Sequence, residues 1–142
     1  MVIDTSAVLA ILRDEPERHR FNQAIDADDI RLMSIASFVE ASMILLARHG
    51  YEGIRDLDLW IARAEIELAP LDVNQAHLAR QAFRQYGKGQ HPAALNFGDC
   101  FTYALAKAAQ EPLLFKGQDF AQTDLDAVAV PGGGEAEGPP LA

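Results

Sequence analysis

The segment MVIDTSAVLAILRDE, residues 1–15, decides the fold class of this chain. Val2 and Ile3 form a short apolar strand, and the polar triplet Asp4-Thr5-Ser6 turns that strand into an amphipathic stretch typical of a helix. A strand that leads directly into a helix is the repeating unit of α/β proteins with parallel sheets. The segment therefore predicts an α/β fold if the same unit recurs downstream.

The unit does recur along the chain. Further strands are predicted at IRLMS (30–34), ELAPLD (67–72, a strand or an extended link) and PLLF (112–115), and AVAV (127–130) is a further candidate. Helices are predicted over residues 16–29, over 35–48 with a stop at Gly50, and over 51–66, 73–86 and 98–110, the last behind Asn96 as N-cap. Strands separated by helices imply right-handed crossovers. We therefore expect an α/β fold with a central, mostly parallel sheet flanked by helices, an α/β/α architecture.

Length and composition predict one domain. The chain has 142 residues and 49% hydrophobic content, which suits a single core over residues 1–130. Residues 131–142, PGGGEAEGPPLA, have almost nothing to bury, and we expect them to form a disordered tail. The single cysteine, Cys100, excludes an intramolecular disulfide and a thiolate zinc cluster. The first segment matches neither a signal peptide nor a membrane span, so we expect a cytoplasmic protein that makes no membrane contact.

The charge balance limits how this chain can meet nucleic acid. A net charge of −9 and a pI near 4.7 argue against a nonspecific duplex-binding module, whose affinity comes from basic residues. An enzyme that acts on nucleic acid is still compatible with this charge, because metal ions held by carboxylates supply positive charge where a phosphate must dock.

Three carboxylates each stand alone inside an apolar segment. They are Asp4 in MVIDTSAVLAIL, Glu40 in IASFVEASMILLA and Asp99 in PAALNFGDCFTYALA. None of these segments contains Lys, Arg or His, and a lone buried carboxylate costs several kcal/mol or must bind a proton. The charge must then be shared with partners distant in sequence, with a bound cation, or among the three acids. If they converge, a divalent metal is the simplest species that makes the cluster tolerable.

A fourth acid is expected at the same edge of the sheet. Functional groups of open parallel sheets gather where the strands' carboxyl ends meet the following helices, and Asp119 follows the strand PLLF there. Four oxygen ligands with no His or Cys nearby in sequence suit a hard ion, Mg²⁺ or Mn²⁺.

Four segments of the chain resemble a known family. VIDTSA (2–7), VEAS (39–42), LNFGDCFTYALAK (95–107) and LLFKGQDFAQTD (113–124) are similar, in order and spacing, to segments of PIN-domain ribonucleases, specifically the VapC-type toxins of bacterial toxin–antitoxin pairs. The resemblance runs from Met1 to about Val130, so residues 1–130 are interpreted as a PIN-like nuclease domain.

The resemblance also implies which residues work. It places the catalytic and metal-binding quartet on Asp4, Glu40, Asp99 and Asp119, and a small hydroxyl residue of the cofactor site on Ser6. It further implies a homodimer that acts on RNA and is silenced by a small VapB-type antitoxin whose C-terminal segment covers the active site.

The predicted function is that of a metal-dependent endoribonuclease toxin. One or two Mg²⁺ ions on the quartet would lower the pKa of a bound water, so that hydroxide attacks phosphorus, and would stabilise the developing charge. The products would carry 5′-phosphate and 3′-hydroxyl ends. RNA would be selected by the shape of a structured or single-stranded loop.

Plainer interpretations stay open for single residues. Asp4 and Ser6 could each merely cap the first helix, and Asp99 could be a first-turn acid favoured by the helix dipole. Lys116 could contact a phosphate or act as a charge partner of the quartet.

Two other functions compete with the nuclease. A catalytically silent interaction domain of PIN fold would be expected to lose at least one of the four acids, and none is missing. A phosphatase of haloacid-dehalogenase type needs a second Asp two positions after the first, where this chain has Ser6.

Overall fold

A computed structural model describes residues 1–132 of the chain. Its helices are α1 (Thr5–Leu12), α2 (Arg18–Asp26), α3 (Ile35–Arg63), α4 (Val73–Tyr86) and α5 (Phe97–Ala109), with a 3₁₀ helix at Phe120–Gln122. Its strands are β1 (Val2–Ile3), β2 (Leu32–Ser34), β3 (Glu67–Ala69) and β4 (Leu113–Leu114). They form one sheet in the order β3-β2-β1-β4, in which every pair is parallel.

The predicted α/β fold with helices around a parallel sheet is confirmed. Within the described residues, no helix is both long and apolar enough to cross a membrane.

The two faces of the sheet carry separate hydrophobic clusters. Successive side chains of a strand point to opposite faces, so Ile3 and Leu114 pack with α1, α2 and α3, whereas Val2 and Leu113 pack with α4 and α5. Val2 pairs with Leu32 on one side and with Leu113 on the other. Because β1 lies between β2 and β4 and is buried on both faces, its carboxyl end opens at the centre of the sheet edge.

The long helix α3 is broken at Gly50, as the sequence predicts. Gly50 has φ 65° and ψ −152°, which is not helical, and separates the part that carries Glu40 from the part that ends at Arg63. This backbone conformation is essentially restricted to glycine, since a Cβ atom would be strained there.

The C-terminal part of the described chain differs from the prediction. Of AVAV, only Ala127 forms an isolated parallel bridge, with Leu113. Two backbone hydrogen bonds support it, from Leu113 N to Asp126 O (2.9 Å) and from Val128 N to Leu113 O (3.0 Å). The segment lies at the sheet edge and meets Pro131, which has no N–H to continue a ladder. Most of the predicted tail, residues 133–142, lies outside the described residues.

Replacing Gly50 should destabilise the fold through its backbone alone. No atom lies within 4 Å of a Cβ built at Gly50, so Gly50→Ala introduces strain without a clash. We expect the free energy of unfolding to fall by about 1–3 kcal/mol. Urea unfolding measures this change, with Arg48→Ala, an exposed position of the same helix, as the near-neutral control. Equal stability of both variants would contradict the assigned helix break.

Candidate active site

All four predicted acids lie at or near the N-terminal end of a helix. Asp4 directly follows β1 and is the N-cap residue of α1, and Glu40 lies in the second turn of α3. Asp99 lies in the first turn of α5, and Asp119 immediately precedes the 3₁₀ helix after β4. The strands are parallel, and α5 runs back toward the start of β4, so these positions share the carboxyl edge of the sheet.

Asp4 is buried, and both of its carboxylate oxygens accept hydrogen bonds. Its side chain is 4% exposed; Oδ2 accepts hydrogen bonds from the Ser6 amide (3.0 Å) and the Ser6 hydroxyl (2.6 Å). Its Oδ1 accepts one from the Thr102 hydroxyl (2.7 Å). Asp4 therefore caps α1, and it also accepts a hydrogen bond from Thr102 of α5. Ser6 is not the cap residue: its hydroxyl donates to Asp4 and accepts a hydrogen bond from the Lys116 amide (3.0 Å).

Asp99 combines a capping role with a perturbed charge. Asn96 and Asp99 form a capping box, in which the Asn96 side chain accepts from the Asp99 amide (2.9 Å) and Asp99 Oδ2 accepts from the Asn96 amide (3.0 Å). Burial, together with the negative charges of Asp4, Asp119 and Glu40, raises the pKa of Asp99 from 3.8 to about 7. The hydrogen bond from the Asn96 amide acts in the opposite direction. Asp99 is thus within electrostatic reach of the other three acids.

Glu40 lies against the bare backbone of α5. A Cβ atom built on Gly98 would lie 2.1 Å from Glu40 Oε2, far inside van der Waals contact. The carboxylate of α3 therefore occupies the space that a side chain at position 98 would fill, one residue before Asp99. Glycine at this position permits the approach of the two helices' acidic groups.

The segment that carries Asp119 is held at both ends. At its start, the Lys116 amide binds Ser6; at its end, Asp124 accepts a hydrogen bond from the Tyr103 hydroxyl (2.6 Å) and pairs with Lys107. Between these ends, Phe120 is buried in the core beside α5. Asp119 itself is exposed on this anchored segment.

The Lys116 side chain has partners outside the quartet. Its Nζ lies 3.0 Å from Glu15 Oε1 and 3.1 Å from Glu17 Oε2. These carboxylates raise the pKa of Lys116 through hydrogen bonds, against a smaller effect of desolvation. The ammonium group therefore forms ion pairs that link the segment after β4 to the segment between α1 and α2. It does not neutralise the four acids.

The donor set of the site fits a hard divalent cation by chemistry and charge. All four side chains offer carboxylate oxygens. Burial is the main cause of the raised pKa of Asp99, and the negative charges of the other three acids add a repulsion that a cation would relieve. As the side chains stand, no group of three or more Asp, Glu, His or Cys residues within 1–132 is arranged to hold a metal ion. Closing the site around an ion therefore requires side-chain movement and loss of any proton on Asp99.

Sequence reasoning missed three residues that shape the site. Thr102 and Ser37 are buried hydroxyl residues, and Gly98 provides the space for Glu40. A signal for the hydroxyls was present: Thr102 follows Asp99 by three positions and Ser37 precedes Glu40 by three, so each shares a helix face with an acid in an otherwise apolar segment.

Sequence comparisons match this chain to known proteins over most of its length. The PIN domain family profile matches residues 1–125. Ribonuclease VapC30 of Mycobacterium tuberculosis is 55% identical over 131 residues, which cover 92% of this chain and all of the relative. Ribonuclease VapC of Mycolicibacterium smegmatis is 52% identical over 128 residues, 90% of this chain and 99% of the relative.

The chain belongs to the VapC ribonucleases of the PIN-domain family. Solved structures agree in fold. Mycobacterium tuberculosis VapC20, described as a sarcin-ricin loop cleaving toxin, matches with a TM-score of 0.74 at 11% identity, over 92% of this chain and 98% of that one. VapBC-1 from nontypeable Haemophilus influenzae matches with a TM-score of 0.68 at 15% identity, over 89% and 94%. The resemblance found in the four sequence segments is thus confirmed for this VapC-family chain.

The raised pKa of Asp99 predicts an unusual pH dependence. Between about pH 4 and pH 7 the folded protein holds a proton that the unfolded chain has released, so the metal-free free energy of unfolding should fall as pH rises through this range. Asp99→Asn should flatten the fall and raise the melting temperature at pH 8, because the amide keeps the capping oxygen without the charge. Melting curves in EDTA from pH 4 to 8 measure both effects.

The control for this measurement is Asp58→Asn, which removes an exposed acid of α3 outside the quartet. It should keep the wild-type pH profile. If Asp99→Asn and the wild type show the same pH profile, the pKa of Asp99 is not raised.

Proposed function

We propose that this VapC-family ribonuclease is a divalent-metal-dependent endoribonuclease toxin of the cytoplasm, with Mg²⁺ as cofactor and Mn²⁺ as substitute. The observation that carries the proposal is the convergence of four acids from separate elements on one edge of the sheet, where the charges of three raise the pKa of the fourth. Acidic groups whose pKa is strongly raised by burial and neighbouring negative charges cluster at functional sites. The family and the all-oxygen donor set support the same assignment.

Asp4, Glu40, Asp99 and Asp119 are the residues that would hold the cation, and Ser6 would support Asp4. When bound, a divalent cation supplies Lewis acidity and positive charge, which activate water and offset the charge of the reacting phosphate. The chain's own contribution is orientation: Asp4 is fixed by Ser6 and Thr102, and Glu40 is seated on the α5 backbone. Asp99 must lose its proton before it can act as an anionic ligand.

Substrate binding would also depend on the cation. The net charge of −9 repels a polyanion, so RNA would approach productively only after the charge of the acidic site is neutralised. Selection by the shape of a folded or single-stranded RNA segment is compatible with this requirement, because it does not need an extended basic surface.

Variants of two quartet residues and one neighbour test the nuclease assignment. Asp99→Asn and Glu40→Gln should abolish cleavage of total RNA in Mg²⁺, since each removes an anionic ligand and keeps the side-chain shape. Gly98→Ala should fold, because the clashing group is the mobile end of Glu40, but it should lower cleavage at least about 10-fold by displacing that carboxylate. Gel assays with end-group analysis should show 5′-phosphate products for the wild type.

Asp58→Asn again serves as the control and should cleave like the wild type. Millimolar Mg²⁺ or Mn²⁺ should raise the wild-type melting temperature at neutral pH and have little effect on Asp99→Asn. Wild-type cleavage in both quartet variants would exclude the proposed site. A wild-type chain that binds metal but cuts no RNA would favour the silent interaction domain.

We also propose that the chain is a homodimer and is inhibited by a VapB-type antitoxin. Related folds occur in a toxin–antitoxin complex from Klebsiella pneumoniae and in VapBC2 from Rickettsia felis bound to a promoter DNA fragment. In this chain, Val39, Met43 and Phe97 are exposed beside Glu40 and Asp99, and Phe97 is 81% exposed. Apolar side chains next to clustered acids suit a protein partner that buries a helix and inserts an Arg or Lys among the carboxylates.

Coexpression with the neighbouring reading frame tests the partner. A small protein with a DNA-binding N-terminal half should copurify and block cleavage, and its C-terminal segment alone should inhibit at adequate concentration. Replacing its basic residue nearest Asp4 and Asp99 by Ala should restore cleavage by about 10-fold or more. Light scattering of the free chain should give twice the monomer mass. A copurified complex that cuts RNA as fast as the free chain would contradict the antitoxin assignment and leave the nuclease assignment intact.

A further inference from the structure

The two oxygens of Asp4 are not equivalent. A carboxylate offers about four acceptor positions, two on each oxygen. Oδ2 accepts from the amide and the hydroxyl of Ser6, which fills both of its positions. Oδ1 accepts one hydrogen bond, from the Thr102 hydroxyl, and so keeps one acceptor position. The chemistry therefore identifies Oδ1 as the oxygen that Asp4 can offer to a cation, and Thr102 as the residue that shares this oxygen.

The Thr102 hydroxyl has a fixed direction. Its single proton is donated to Asp4, so its oxygen must be the acceptor in the 3.0 Å contact with the Ser37 hydroxyl. Thr102 is 1% exposed and Ser37 is 2% exposed, so water does not compete for either group. The Ser37 hydroxyl of α3 thus donates to the Thr102 hydroxyl of α5, which donates to Asp4 after β1. These two hydrogen bonds form a relay with a fixed donor direction.

The relay links the helices that carry the other acids. Ser37 lies one turn before Glu40 on α3, and Thr102 lies one turn after Asp99 on α5. A change in the separation of α3 and α5 would therefore alter the Ser37–Thr102 contact and, through it, the orientation of Asp4. In metal sites, outer hydrogen-bond donors that fix a ligand's direction typically change metal affinity or activity by about 10–100-fold when removed.

We infer that Thr102, oriented by Ser37, is a positioning residue that directs Asp4 Oδ1 toward the divalent cation of the hydrolytic site. The inference rests on the proposed function where it is tested by cleavage kinetics. The affinity for metal gives a second test that does not require RNA cleavage. Neither hydroxyl contacts substrate in this assignment; both act through Asp4.

Four variants separate positioning from simple packing. Thr102→Val keeps the shape and removes the hydroxyl, whereas Thr102→Ser keeps the hydroxyl and removes a methyl group. Ser37→Ala leaves the bond from Thr102 to Asp4 but removes the donor that orients it. Ser42→Ala is the matched control, because the Ser42 hydroxyl, on the same helix, donates only to its own helix at Phe38 O (2.7 Å).

Two measurements are made on each full-length variant. The affinity for Mn²⁺ is taken from the rise in melting temperature during a titration, and kcat and KM are taken from cleavage of a fluorescent RNA. For Thr102→Val we expect Mn²⁺ affinity and kcat each to fall by about 10-fold or more, with KM unchanged. Ser37→Ala should show a smaller loss in the same direction, Thr102→Ser should stay within about 3-fold of wild type, and Ser42→Ala should match it.

A purely structural role predicts a different pattern. Thr102→Val and Ser37→Ala would then melt at lower temperature in EDTA but keep wild-type Mn²⁺ affinity and kcat, which would overturn the inference. If Thr102→Val fails to fold, Ser37→Ala decides the question by the same two values. A wild-type chain that binds Mn²⁺ without cutting RNA contradicts the proposed function. The role of Thr102 is then tested by comparing the Mn²⁺ affinity of Thr102→Val with that of the wild type. A wild-type chain that binds no Mn²⁺ overturns both.

Discussion

The site depends on the buried carboxylate of Asp4, because a charge removed from water at the end of the central strand must be satisfied by donors. Ser6 supplies two of these donors from α1 and Thr102 supplies one from α5, while Ser37 of α3 binds Thr102. One buried charge thus connects three helices at the sheet edge. The positions of Glu40 and Asp99 follow, since each lies one turn from a member of this polar cluster.

The layered fold makes this connection possible. Helices α3 and α5 cover opposite faces of the sheet, yet both begin at its carboxyl edge, where β1 ends between them. Gly98 allows the carboxylate of Glu40 to reach the α5 backbone. Polar side chains of helices that pack on opposite faces of the sheet therefore meet over the end of one strand, which is where parallel sheets place their functional groups.

The acids oppose the stability that the rest of the fold provides. Burial and three neighbouring negative charges raise the pKa of Asp99, although the capping box favours its charged form. Local capping chemistry and the assembled site thus act on the same carboxylate in opposite directions. Such a conflict between local and tertiary preferences is expected at functional sites, where groups are kept for chemistry at some cost in stability.

The sequence by itself determined the α/β fold, the helix break at Gly50, the Asn96 cap and the family, because strand and helix periodicities and capping residues are local signals. It also singled out Asp4, Glu40 and Asp99 as acids in apolar segments. Only the tertiary structure decided that Thr102 binds Asp4 Oδ1, that Gly98 seats Glu40, that Lys116 pairs with Glu15 and Glu17, and that AVAV forms a single bridge. These contacts join residues far apart in the chain, and their partners depend on how the helices pack on the sheet, which no local pattern specifies.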